Sequence, residues 1–202
     1  MERGAHRLRV AGGDEGPVFF AIDGTWAVPL GEADTVARGR RAALHRVYET
    51  PDGRALEDGA EIPLGSLVRV RLFVYTEESS PEVVALRDPI PSGFEALDAD
   101  HDTTPQAALS ALMGTGPDDD AVDARAHHAM RSLGSIAHRS FRAEATSFYF
   151  DRLPVGLAEY TYAIRATTVG EFTAPPSQLD ALYDPDFVAR GTVSRLVVVE
   201  RE

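Results

Sequence analysis

VRVRLFVY, residues 68–75, is the stretch of the chain that decides its fold. Successive residues of an extended strand point to opposite sides, so a period of two separates its faces. One face is entirely aliphatic and the other is mixed: Val68, Val70, Leu72 and Val74 against Arg69, Arg71, Phe73 and Tyr75. This alternation predicts a β-strand that packs its aliphatic face on a core.

Similar short apolar runs recur on both sides of this strand. They are separated by many of the 17 glycines and 13 prolines, which is typical of an all-β domain. Further strands are predicted at residues 83–87, 139–142, 146–151, 159–168, 171–174 and 194–200, and another begins at Arg46. We predict a hairpin turn at 143–145 and an edge or turn at the DPIPSG run, 88–93, because proline cannot donate to a sheet ladder. The pattern indicates an antiparallel β-sandwich.

Two segments break this strand rhythm. Residues 103–134 hold two alanine-rich patches around a glycine- and aspartate-rich centre. Alanine favours helices, and a loop of this length is unusual in a compact domain, so we predict one long inserted loop, partly helical or flexible. Near the start, residues 17–28 form an isolated strand-like run, followed by a polar linker at 34–41.

Composition excludes several classes of partner and site. The net charge of −12 disfavours binding to a phosphate backbone or an anionic membrane surface. The chain has no cysteine, so it has no disulfide, thiolate metal site, cysteine nucleophile or thioester of its own. It has no run of about 18 apolar residues, which predicts no membrane span. The first ten residues, MERGAHRLRV, lack the apolar core of a signal peptide. We therefore expect either a cytoplasmic protein or a piece of a longer exported chain.

Motifs that carry chemistry are missing. His127 and His128 are adjacent and do not share a face with each other, and no HExxH spacing occurs. The acidic run at 98–102 lacks the glycine and the distal glutamate of a calcium loop, and the consecutive side chains of the run at 118–120 diverge. No GxSxG, Walker A or GxGxxG motif is present. We predict no metal, no cofactor and no enzymatic activity, and keep a hydrolase on a sandwich fold as a third hypothesis.

Aromatic residues cluster in two of the predicted strands, at Phe148-Tyr149-Phe150 and at Tyr160 and Tyr162. Cross-strand packing inside a sandwich is the interpretation that we favour. The alternative is an exposed aromatic face that binds carbohydrate or peptide, which would make the chain a free-standing adhesion or carbohydrate-binding module.

An ordered series of segments resembles the C-terminal macroglobulin domain of bacterial alpha-2-macroglobulins. The most informative are the block LRDPIPSGFE at 86–95, the block RATTVG at 165–170, and Leu182-Tyr183-Asp184-Pro185 followed by Ala189-Arg190-Gly191. The resemblance covers residues 44–202. It departs from the family pattern at Ala143-Glu144-Ala145, where a DDR run is usual, and at Val169, where proline is usual.

This resemblance implies a macroglobulin-like β-sandwich at 44–202. It also implies that residues 1–43 are a remnant strand and linker of a preceding domain. Family members are exported proteins, so it implies a periplasmic or extracellular location as part of a longer chain. The implied role is that of a non-catalytic module in a protease inhibitor, which docks on and shields a thioester-containing domain of the same or an adjacent chain. Proteases are then indirect partners.

The shielding loop of the family carries a tyrosine, and the matching position here is Tyr183, followed by Asp184 and Pro185. A rigid amphipathic ring near a turn is suited to excluding water from a partner surface. The other interpretation is that Tyr183 packs inside its own sandwich.

Overall fold

The computed structural model describes residues 38–97 and 136–201, which form thirteen β-strands. Before residue 98 these are β1 Arg38–Arg40, β2 Ala42–Glu49, β3 Ala60–Pro63, β4 Leu67–Thr76, β5 Val84–Pro89 and β6 Phe94–Leu97. After residue 135 they are β7 Ile136–Phe141, β8 Ala145–Phe150, β9 Gly156–Ala166, β10 Gly170–Ala174, β11 Gln178–Ala181, β12 Asp184–Arg190 and β13 Ser194–Val199.

The strands form three sheets. One has the order β2-β4-β9-β6, a second β1-β12-β11-β5-β8-β7, and a third β10-β13-β3. All neighbours are antiparallel except β13 and β3, which run parallel. The fold is therefore all-β, as the sequence predicts, and no membrane-crossing helix is found within the described ranges.

The core lies between the four-stranded and six-stranded sheets, and the three-stranded sheet contributes Ile62, Leu196 and Val198 to it. The aliphatic face of β4 is at most 1% exposed, as its alternation predicts. Across the core, Phe148 of β8 lies 5.8 Å from Tyr160 of β9 and 6.3 Å from Tyr162, measured between ring centroids. These aromatic residues join the two layers, which confirms the packing interpretation for most of the aromatic cluster.

A buried ion pair also crosses the core. Arg46 of β2 donates from Nη1 to Asp88 Oδ1 of β5 at 2.6 Å, and their side chains are 1% and 0% exposed. The Tyr162 hydroxyl donates to the other carboxylate oxygen at 2.7 Å. Burial raises the pKa of Asp88, opposed by the charge of Arg46 and by these hydrogen bonds. The ion pair connects the two sheets at a position that is buried from solvent.

The strands predicted at 68–75, 139–142, 146–151, 159–168, 171–174 and 194–200 are present within a few residues of their expected ends. β5 runs to Pro89, further than the pattern predicts, because it pairs with β8 up to Ala145, whereas β11 pairs with β5 only as far as Arg87. Pro89 therefore faces no ladder partner on that side. The predicted loop at 103–134 lies outside the described residues. So does the predicted remnant at 1–43, apart from residues 38–43 in β1 and at the start of β2.

Candidate functional site

The site is the tip of the hairpin that joins β11 to β12. Leu182 and Tyr183 are the two residues between these strands, and the ladder shifts register between Asp180 and Ala181 as it approaches them. Their exposures, 65% and 77%, are the highest of any large apolar side chain among residues 38–97 and 136–201. We call these two residues the hairpin tip. These two adjacent side chains form a small exposed apolar patch at the end of the hairpin.

The backbone of the tip is held by the connection that precedes β5. The Leu182 amide donates to the Val83 carbonyl at 2.9 Å, and the Val83 amide donates to the Asp151 carbonyl at 2.9 Å. Val83 has a φ of 57°, in the left-handed region that a β-branched residue rarely enters. This strained residue thus links the tip to the β8–β9 connection.

Charged groups hold the first residue after the tip. Arg41 donates from Nη1 to Asp184 Oδ2 at 2.6 Å and from Nε to a carboxylate oxygen of Glu78. Asp184 Oδ1 accepts the Asp186 amide at 3.1 Å. The hydrogen bond from Arg41 lowers the pKa of Asp184. Both oxygens of this carboxylate therefore have fixed partners.

Of the three residues predicted for this loop, Tyr183 is the one placed to make an apolar contact. It lies on the surface, so the interpretation of Tyr183 as a core residue of its own sandwich is wrong. Asp184 is half-buried and fixes the base of the tip, whereas Pro185 is exposed in β12. The sequence interpretation did not assign Leu182 to the site, although it is an apolar residue directly before Tyr183. It also missed Arg41 and Glu78, because no sequence pattern around either residue indicates that it lies near this hairpin.

The exposed aromatic face that the sequence offers as an alternative site is largely absent, because most of its residues are buried. Phe148, Phe150, Tyr160 and Tyr162 are all at most 6% exposed. Tyr149 is exposed on the outer side of β8, where it stacks on His138 with ring centroids 5.8 Å apart. One aromatic pair offers little surface for a sugar ring to stack on.

Between residues 38 and 97 and between 136 and 201, no three His, Asp or Glu side chains lie close enough to hold a metal ion. The histidines at 127 and 128 and the acidic runs at 98–102 and 118–120 lie outside the described residues. The arrangement around the hairpin tip is suited to contact with a partner.

Comparison with known proteins agrees with this fold. The family profile for the bacterial alpha-2-macroglobulin MG10 domain matches residues 42–186. An alpha-2-macroglobulin homolog from Nostoc sp. is 25% identical over 147 residues, which is 73% of this chain and 7% of the relative.

Solved structures of the same kind share the architecture. Trypsin-activated alpha-2-macroglobulin from Escherichia coli superposes with a TM-score of 0.64 at 20% identity, over 81% of this chain and 11% of that one. A mutant of Salmonella alpha-2-macroglobulin superposes with a TM-score of 0.63 at 18% identity, over 83% and 10%. The chain thus spans about a tenth or less of the length of these proteins.

Proposed function

Because the chain belongs to the bacterial alpha-2-macroglobulins and contains their MG10 domain, we propose that its hairpin tip docks on and shields the thioester domain. In this proposal the chain is the non-catalytic C-terminal β-sandwich of a protease inhibitor, and it works in the periplasm or outside the cell as part of a longer exported chain. The whole inhibitor, and not this module alone, meets the protease.

The observation that carries the proposal is the exposure of Leu182 and Tyr183 on a braced hairpin. A thioester survives only where water and amines are kept away, and an apolar cover does this best. Burying an exposed large apolar side chain contributes about 1.5–3 kcal/mol. The hydroxyl at the end of Tyr183 can meet a polar group at the rim of the contact.

The bracing also supports docking. A side chain presented on an ordered hairpin loses less conformational entropy on binding than one on a mobile loop. The tip has a backbone hydrogen bond to Val83, and the adjacent Asp184 is bonded to Arg41. The tip therefore loses most of its conformational entropy on folding and little on binding.

The test measures the reaction of methylamine with the thioester domain of the parent protein, with and without this chain. We expect the chain to slow the reaction, and Tyr183→Ala or Leu182→Ala to remove most of that protection. An aromatic anchor at the centre of a contact costs about 2–4 kcal/mol when truncated, or roughly 30- to 800-fold in Kd.

Tyr149→Ala is the matched control, because Tyr149 is also exposed but lies on β8, stacked on His138. It should leave the protection unchanged. Equal methylamine reactivity with and without the unaltered chain would overturn the proposal.

A further inference from the structure

Arg41 occupies the corner where the chain passes from one sheet to another. β1 belongs to the six-stranded sheet and β2 to the four-stranded sheet, and Arg41 alone separates them. Its φ is 64°, in the left-handed region that non-glycine residues rarely adopt. A Cβ at Gly39 would lie 1.9 Å from the Ala42 carbonyl oxygen, so the corner is closely packed.

The corner lies against the strand that follows the hairpin tip. β1 pairs with β12, with Arg40 opposite Val188, and Arg41 forms a parallel bridge to Val188. The Arg41 guanidinium carbon lies 5.7 Å from the centre of the Phe187 ring. The incoming chain is thus joined to β12 by backbone and side-chain contacts.

The same guanidinium connects three segments that are distant in sequence. It binds Asp184 beside the tip and Glu78 in the β4–β5 connection, which ends at Val83. Val83 in turn accepts the hydrogen bond of Leu182. The two non-glycine residues with positive φ in the described chain, Arg41 and Val83, therefore both hold the same hairpin.

We infer that Arg41 is a positioning residue: with Glu78 and Asp184 it forms a clamp that couples the chain arriving at β1 to the orientation of the hairpin tip. The planar guanidinium reaches both carboxylates at once, which a lysine ammonium cannot do with the same geometry. Release of the clamp frees the tip, and a displacement of β1 is transmitted to it. The consequence for docking rests on the proposed function, whereas the clamp itself does not.

The absence of cysteine from the chain allows a direct measurement. A spin label attached through Leu182→Cys reports the motion of the tip by electron paramagnetic resonance. We expect Arg41→Gln to shorten the correlation time of the label by about twofold or more, because an unbraced loop moves on the nanosecond scale. Arg41→Lys should give an intermediate value.

Arg152→Gln is the matched control. Its partner is Glu82 at 2.9 Å, an exposed pair that joins the β8–β9 and β4–β5 connections without touching β12. Because Glu82 and Arg152 are the sequence neighbours of Val83 and Asp151, this variant should change the spectrum much less than Arg41→Gln but need not leave it identical. An equal increase in mobility with Arg152→Gln and Arg41→Gln, or none with Arg41→Gln, would overturn the clamp.

Salt gives a second measurement that needs no variant at position 41. At about 1 M NaCl the Debye length is about 3 Å, so exposed ion pairs are screened. Because the Arg41 and Asp184 side chains are only 37% and 30% exposed, the label on the otherwise unaltered chain should show part of the increase in mobility seen in Arg41→Gln, which should itself respond little. A spectrum that is insensitive to salt would contradict the clamp even if Arg41→Gln fails to fold.

Binding separates this inference from the proposed function. If the clamp orders a tip that docks, Arg41→Gln should raise the Kd for the thioester domain about three- to tenfold, since an ordering cost moves to the binding step. Tip mobility that responds to Arg41 in a chain that does not bind would keep the clamp and reject docking. If binding depends on Tyr183 but the mobility of the tip does not change in Arg41→Gln, docking is supported and the clamp is rejected.

Discussion

At the scale of single residues, the buried ion pair of Arg46 and Asp88 is sensitive to the loss of either charge. Besides its bond to Asp88 of the six-stranded sheet, Arg46 of the four-stranded sheet donates to the Pro175 carbonyl at 2.9 Å, in the chain between β10 and β11. Removing one member of such a pair leaves the other charge in a dry core. The pair therefore tolerates the loss of both charges better than the loss of one.

Asp88→Asn should lower the free energy of unfolding by about 3–5 kcal/mol, because Arg46 is left buried without a counter-charge. Urea denaturation followed by circular dichroism measures this change. The control is the double variant Arg46→Met/Asp88→Leu, which removes both charges and should recover much of the loss. A double variant as unstable as Asp88→Asn would mean that shape, and not charge, makes the position sensitive.

At the scale of strands and turns, the sequence predicted what strong alternation encodes. β4 could be predicted from its alternation because valine or leucine occupies its inward positions 68, 70, 72 and 74. β11 and β12 were missed although they also alternate, because alanine fills inward positions such as Ala181 and Ala189 and gives a weak signal. Tyr183 was identified by resemblance, whereas its exposure and the clamp depend on tertiary contacts: Arg41 and Asp184 are 143 residues apart.

The backbone is strained at Val83, which supports the hairpin. Relief of this strain should change the free energy of unfolding in a predictable direction. Val83→Gly should raise the free energy of unfolding by up to about 1 kcal/mol, since relief of about 1–3 kcal/mol exceeds the entropy that glycine adds to the unfolded chain. Val188→Gly is the matched control: Val188 is similarly exposed, at 37% against 40%, but lies inside β12. It should instead lower stability by about 0.5–1 kcal/mol. Thermal unfolding of both variants decides the point, and equal signs would contradict strain at Val83.

At the scale of the whole molecule, the core and the tip differ in what must break for them to open. The register of β4 with β9 extends over ten residue pairs, from Leu67–Arg165 to Thr76–Gly156, and Arg46, Asp88 and Tyr162 connect this sheet to the next. The tip is held by one backbone hydrogen bond and by partly exposed ion pairs. The core therefore opens with global unfolding, whereas the tip opens locally.

Native-state hydrogen exchange should show this division amide by amide. Leu182 and Val83, whose amides bond to Val83 and Asp151, should exchange through local opening, and the amides of β4 and β9 only through global unfolding. Arg41→Gln should speed exchange at Leu182 while β4 and β9 change only as far as global stability does. Arg152→Gln provides the comparison at the same end of the sandwich. If the Leu182 amide is as protected as those of β4, the tip is part of the core, and a clamp that governs it separately is excluded.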